Sequence, residues 1–173
     1  MLPITDNSAA LLQHALPYLK PDADILDLAC GGGRNGCYLA SLGYNITYLD
    51  RNEQSLAAIK QQDSCGQFMC VDLETTPPFE LPTNTFDVIL VFRYLHRPLM
   101  SSIIGALKSG GVIVYETFTH QQATIGRPRN PDFLLNDNEL LQHFNKFECL
   151  YDEQGFDEQQ QAYIGQFIGR KLD

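Results

Sequence analysis

The 173-residue chain carries a formal net charge of −9, a length that suits one domain able to bury roughly two-thirds of its unfolded surface. Its 44% hydrophobic content supplies a core without disulfides or metal, and its acidic balance speaks against broad nucleic-acid binding, which rests on many Lys and Arg contacts. Five cysteines (Cys30, Cys37, Cys65, Cys70, Cys149) without a CxxC pair suit a reducing compartment, and the lack of a basic-then-apolar leader or a run near about 18 apolar residues predicts a cytoplasmic protein with no membrane span.

Asp6 is placed to cap a first helix with Leu11, Leu12, Ala15 and Leu16 at helical spacing, ending near Pro17. Asp24–Ala29 reads as a short buried strand, Gly31–Gly33 as a turn, and Arg34–Leu42 as a helix closed by Gly43. Tyr44–Leu49 is a second strand running into Asp50, and Asn52 opens another helix with Leu56, Ala57 and Ile59. Gln67–Val71 follows as a third strand, then a loop with Pro77, Pro78 and Pro82. Phe86–Phe92 is apolar on both faces, as a central parallel strand must be.

Pro98–Leu107 gives a helix, Gly110-Gly111 a turn and Val112–Tyr115 a fifth strand. Asn136 with Glu139 suggests a capping box for a helix through Phe144. Phe147–Tyr151 and Gln161–Ile168 read as a terminal hairpin. Strands alternating with helices predict a doubly wound α/β fold with a mostly parallel sheet covered on both faces, in one domain over residues 1–173. Ligands of such sheets bind beyond the carboxyl ends of the strands. That directs attention to Asp27–Asn35, Asp50, Asp72 and Phe92–Arg97.

The first of these sites reads Asp27-Leu-Ala-Cys-Gly-Gly-Gly-Arg-Asn35. Glycines let backbone approach a ligand closely, and the helix that follows aims free N–H groups at the turn. Asp50 stands where an acid can accept both ribose hydroxyls, and Asp72 where one can accept an adenine amino group. Gly31-x-Gly33-x-x-Gly36 also matches the dinucleotide fingerprint, with Asp50 near its ribose acid. Asp72, the small space left for a substrate domain, and Arg34 entering the helix all weigh against NAD.

Taken together, Asp27–Gly33, Asp50, Val71-Asp72-Leu73, Phe86–Ile89 and Leu107-Lys-Ser-Gly-Gly-Val112 resemble the class I S-adenosylmethionine-dependent methyltransferases along nearly the whole chain. Arg34-Asn35 after the glycines looks like the tellurite-resistance-type branch, which acts on small soft nucleophiles. The resemblance implies strand order 3-2-1-4-5-7-6 with an antiparallel seventh strand. It also implies S-adenosylmethionine as methyl donor, with S-adenosylhomocysteine as product. The cofactor residues it suggests are Asp27, Ala29, Cys30, Gly31, Gly33, Arg34, Asn35, Asp50, Arg51, Asp72, Leu73 and Phe92. One position departs from the family pattern: Ala29 stands where its first glycine belongs. The NPPY-type tetrapeptide of amino-directed nucleic-acid methyltransferases is absent after strand four, which argues against a DNA base as substrate.

The acceptor chemistry falls on the remaining strand ends. Methyl transfer needs in-line placement above all, and a base only if the nucleophile must lose a proton. Candidates for catalysis are Arg93, Tyr94, His96 and Glu116. Arg97, His120, Arg127 and Arg129 are candidates for binding a small, anionic or soft-nucleophile substrate, because Arg93–Arg129 holds five Lys and Arg against the single acid Glu116. That stretch also reads as a solvated surface of mixed sign, and the 126–132 loop as either a lid or a surface loop. No metal site is visible, since no Cys/His spacing suits zinc, and no Walker phosphate loop, since no Lys-Ser/Thr follows the glycines. Two alternatives stay open, an NAD-type oxidoreductase domain and a non-catalytic module that binds cofactor or partner on the same fold.

Overall fold

The computed structural model describes residues 9–173; the Asp6 cap lies outside them. A short helix α1 (Leu11–Ala15) passes into a 3-10 turn at Leu16–Tyr18 that takes Pro17 in its first positions. The parallel strands are β1 (Asp24–Leu28), β2 (Asn45–Asp50), β3 (Gln67–Cys70), β4 (Phe86–Phe92) and β5 (Leu107–Phe118). Between them run α2 (Arg34–Ser41), α3 (Glu53–Gln62) and α4 (Met100–Ala106). After α5 (Glu139–His143), β6 (Phe147–Asp157) and β7 (Ala162–Lys171) close the chain as a hairpin.

The seven strands form one sheet in the order 3-2-1-4-5-7-6, with β7 antiparallel to both β5 and β6. This is the expected doubly wound topology. Side chains alternate across each strand, so Leu26, Leu28, Ile89, Val91, Ile113 and Tyr115 join one buried layer with α4 and α5 residues. Ile25, Ile46, Tyr48, Val88, Leu90, Val112 and Val114 join the other, with α1, α2 and α3 residues. Every β-to-α connection of the parallel strands therefore opens on one edge of the sheet, where the turn after β1, Asp50, Asp72 and Arg93 meet.

Four local expectations change. Gly110-Gly111 is not a turn before β5 but a bulge inside it: Phe86 pairs with Leu107 and Val88 already with Val112. Gly110 takes φ +71°, and a Cβ on Gly111 would lie 2.8 Å from the Lys108 carbonyl, so both residues must be glycine to absorb the extra length. The helix expected from Pro98 starts at Met100, after a 3-10 turn over Arg97–Leu99. In α5 the N-cap is Asn138, in the left-handed region at φ 57°, rather than Asn136. Half of the capping box survives, because Glu139 still accepts the Asn136 N–H at 2.9 Å. The hairpin strands run longer than their apolar pattern suggests because β6 is an edge strand with a largely exposed face. No helix among the described residues is long and apolar enough to cross a membrane.

Candidate functional site

The turn after β1 is built from left-handed backbone. Ala29 has φ 53°, Gly31 φ 53° and Gly33 φ 71°. Cys30 donates its N–H to the Leu49 carbonyl at 3.0 Å, and Gly33 donates to the Cys30 carbonyl at 2.9 Å. A Cβ at Gly31 or Gly32 would meet nothing within 4 Å, so this backbone faces open space. A Cβ at Gly33 would press on the Ile59 side chain at 2.7 Å, so that glycine is required by the packing of α3. The Cys30 thiol is half-buried, and desolvation raises its pKa, with Asp27 and Asp50 adding to the effect.

Asp50 fixes this turn from β2. Its Oδ2 accepts the Gly31 N–H at 2.8 Å and its Oδ1 the Asn52 N–H at 2.9 Å, while Asn52 caps α3 through the Ser55 N–H at 3.1 Å. Each carboxylate oxygen keeps a second lone pair for a ligand. Beyond β3, Asp72 is exposed and accepts the Glu74 N–H at 2.9 Å. Ala29, Asp50, Arg51, Asp72, Leu73, Glu74, Arg93 and Tyr94 share one cleft of about 250 Å³. A larger depression of about 620 Å³ lies around Asp24, Asn45 and Phe86, at the opposite, amino ends of the strands. Ligand sites in this sheet type lie at the carboxyl ends, so the smaller cleft is the candidate.

Seven residues of the expected cofactor set are not in the cleft lining: Cys30, Gly31 and Gly33 of the turn itself, and Asp27, Arg34, Asn35 and Phe92. Asp27 is 3% exposed and engaged with the α2 backbone. Asn35 is buried, its Oδ1 accepting the Ala9 N–H at 2.9 Å. Phe92 packs into the core on the α1–α3 side. Arg34 is exposed at the first turn of α2.

Where β4 leaves the sheet, Arg93 adopts φ 58° and donates its N–H to the Glu116 carbonyl at 2.8 Å. Its side chain meets three groups. Nη2 lies 3.3 Å from Glu116 Oε1 and also donates to Gln160 Oε1 on the hairpin turn, and the guanidinium lies over the Phe118 ring at 4.3 Å; Nη1 is buried without a hydrogen-bond partner. Desolvation lowers the Arg93 pKa against the opposing pull of Glu116. Glu116 is fully buried, with Oε2 accepting from Gln166 Nε2 at 2.7 Å and Oε1 lacking a hydrogen bond. Tyr94 lines the cleft; its hydroxyl is buried without a hydrogen-bond partner, and desolvation raises its pKa. His96 is half-buried at the start of the Arg97–Leu99 turn and is not part of the cleft lining. Gln160, Gln166 and Phe118 have no sequence signature that would select them.

The four expected substrate residues separate. Arg97 forms a two-pronged pair with Glu139 (Nε–Oε1 2.7 Å, Nη2–Oε2 2.9 Å) and donates to the Asp132 and Leu134 carbonyls. All these donors hold the 131–139 segment, which gives Arg97 a structural task away from the cleft. His120 is exposed, with Nδ1 3.6 Å from Asp137 Oδ1. Arg127 and Arg129 are exposed and line a second groove with Phe118 and Phe133. No cluster of potential metal ligands occurs among the described residues.

Against known proteins, the family model described as tellurite resistance protein TehB matches residues 5–162. The chain belongs to the TehB family. A Haemophilus influenzae relative, “Probable S-adenosyl-L-methionine-dependent methyltransferase TehB”, is 31% identical over 140 residues, covering 75% of this chain and 48% of the relative. A Bacillus subtilis relative, “Uncharacterized methyltransferase YodH”, is 26% identical over 152 residues, 84% of this chain and 60% of the relative. The chain thus spans about half the length of the TehB relative. The crystal structure of Haemophilus influenzae TehB superposes with TM-score 0.73 at 22% identity, over 93% of this chain and 61% of that one. A TehB-like S-adenosylmethionine-dependent methyltransferase from Corynebacterium glutamicum superposes with TM-score 0.67 at 18% identity, over 93% and 86%. At these identities the TehB structures share the fold.

Proposed function

We propose that this TehB-family chain is an S-adenosylmethionine-dependent methyltransferase acting on a small anionic or soft-nucleophile substrate, in one domain and in the cytoplasm. The observation that carries the reading is Asp50, held by Gly31 and Asn52 in the wall of a cleft that also contains Asp72 and Leu73. The residues fit the donor. Asp50 has lone pairs for ribose hydroxyls, Asp72 and the Leu73 backbone suit adenine, and the open backbone at Gly31 and Gly32 leaves room for the methionine end. The names of the TehB relatives support the same donor, and five free cysteines support a reducing compartment.

S-adenosylmethionine supplies, when bound, a methyl group activated by a sulfonium. The chain's own contribution is placement. The Asp50–Gly31 bond fixes the loop height, and Arg93 and Tyr94 bound the space in front of it. A substrate that arrives as an anion needs no proton removed, so the pairing of Arg93 with Glu116 serves orientation rather than proton transfer. His96, which lies outside the cleft lining, is then dispensable for transfer to such a substrate.

Calorimetry with S-adenosylhomocysteine and NAD tests the reading. Binding of the first, weakened at least tenfold by Asp50→Ala, is expected. Tight NAD binding with no response to the nucleoside would overturn it in favour of an oxidoreductase domain. Turnover is checked with labelled methyl donor and a panel of thiols, chalcogen oxyanions and carboxylates; binding without any transfer would favour a non-catalytic module.

A further inference from the structure

Phe118 links two spaces through its contact with Arg93. The Arg93 guanidinium lies 4.3 Å above its ring, and the same residue lines an open groove of about 540 Å³ with Arg127, Pro128, Arg129, Asn130 and Phe133. Arg93 also lines the cleft beside Asp50 and Asp72. Cleft and groove therefore adjoin at the Arg93–Phe118 stack.

We infer that this groove is an acceptor subsite for a small organic anion with an apolar body; the inference rests on the methyltransferase reading above. Its volume lies within the range of sites for organic molecules, roughly 300–1,000 Å³, and is excessive for a bare inorganic oxyanion. Phe133 is 47% exposed on its wall, which leaves apolar surface for a ligand to cover. Arg127 and Arg129 form no ion pair with an acid among the described residues, although the chain carries 21 acids. Arg129 donates only weakly, from Nε to the Gly126 carbonyl at 3.3 Å. Two guanidinium groups beside apolar rings complement a carboxylate or phosphate on an apolar body.

The groove is also held in shape before any ligand arrives. Buried Gln122 donates to the Arg127 carbonyl at 3.1 Å and accepts the Tyr163 N–H at 2.8 Å, tying the loop to β7. Asn130 accepts the Asp132 N–H at 3.1 Å, and Arg97 grips the Asp132 and Leu134 carbonyls from the other side. Such preorganisation spares a ligand the ordering of the loop.

The test is calorimetric titration of the full chain, with and without S-adenosylhomocysteine, using 3-phenylpropionate, the neutral 3-phenylpropanol, and sulfate. The acid should bind at least tenfold more tightly than the alcohol and than sulfate. Replacing both arginines (Arg127→Ala with Arg129→Ala) should weaken the acid at least tenfold and the alcohol little, whereas Phe133→Ser should weaken both. These positions are exposed, so folding is checked simply by an unchanged circular dichroism spectrum and unchanged S-adenosylhomocysteine affinity. Equal binding of acid and alcohol, sulfate matching the acid, or indifference to the double substitution would overturn the inference. Failure of S-adenosylhomocysteine to bind overturns instead the methyltransferase reading, and with it the acceptor role, while the acid–alcohol difference still reports on the groove.

Discussion

The carboxylate of Asp27 accepts the backbone N–H of Gly36 at 3.0 Å, which joins the end of β1 to the first turns of α2. Gly36 has no substitute there, since a Cβ would lie 2.8 Å from Asp27 Oδ2 and would also strike the Tyr48 ring. The glycine that completes Gly31-x-Gly33-x-x-Gly36 is thus demanded by helix–strand contact, independently of any cofactor. A pattern that looks like a dinucleotide fingerprint has a packing cause at its third position, which is why it does not discriminate between cofactors.

Burial raises the Asp27 carboxyl from 3.8 to about 7, with the Gly36 N–H acting in the opposite sense. Between these values the folded chain binds more protons than the unfolded one. The stabilisation tied to this proton is therefore fully present at low pH and is lost as pH rises through about 7. Asp27→Asn keeps an oxygen for Gly36 and removes the titration. Urea midpoints of the parent should fall relative to the variant as pH rises from about 4 to about 8. Parallel curves would mean that Asp27 folds ionised.

Ala29 sits at φ 53°, a conformation that glycine adopts freely and a Cβ resists. The left-handed backbone costs an L-residue about 1–2 kcal/mol, partly offset by the greater unfolded freedom of glycine. Ala29→Gly should therefore stabilise the chain by up to about 1 kcal/mol, a rise in Tm of about 2–4 °C for a chain of this size. Differential scanning calorimetry decides it; a lower Tm would show that the methyl group makes packing contacts worth more than the strain. Affinity for S-adenosylhomocysteine should hold or improve, because the residue lines the cleft.

What could be read from sequence, and what could not, follows from the range of the signals. Strand β4 is legible because burial on both faces leaves an unbroken apolar run over Val88–Phe92, and the acids at the ends of β2 and β3 are legible because the strands place them. The hairpin beyond Tyr151 is not, since its outer face alternates too weakly to mark its length. The partners of Arg93 are least legible of all. Gln160 lies 67 residues away, and glutamine carries no charge or periodicity to announce a contact. The sequence likewise shows Arg97 as one base in a basic stretch, whereas its role is set by Glu139, 42 residues on.

That Arg97–Glu139 pair makes an acid-side prediction. Burial pushes Glu139 up, but the Arg97 hydrogen bonds and the Asn136 N–H overcome this and hold it down at about 2. Its stabilisation is present above about 4.5 and is lost as pH falls through about 2. Arg97→Met leaves an 8%-exposed carboxylate side chain without its fork and two carbonyls without donors, a loss of about 2–4 kcal/mol at neutral pH. Arg97→Lys should recover only part of it, because one ammonium cannot span both oxygens. Denaturant titrations at pH 7 and pH 3 check both points: the gap between parent and Arg97→Met should narrow at the lower pH, and a gap that persists would locate the loss in the carbonyl contacts instead.

Arg93 of the cleft lining forms an ion pair with Glu116 behind it. Glu116 is fully buried, and the Arg93 guanidinium at 3.3 Å is the cation that balances it. Removing one partner of such a pair costs about 3–5 kcal/mol by stranding the other charge, whereas removing both is far milder. Arg93→Met alone should therefore destabilise the chain severely. Arg93→Met combined with Glu116→Gln should recover most of that loss, because the new amide can still bond to Gln166 and strands no charge. A double-mutant cycle by urea denaturation measures the coupling. Additive losses would show that Gln160 and the Phe118 ring, rather than Glu116, are what hold Arg93 in place.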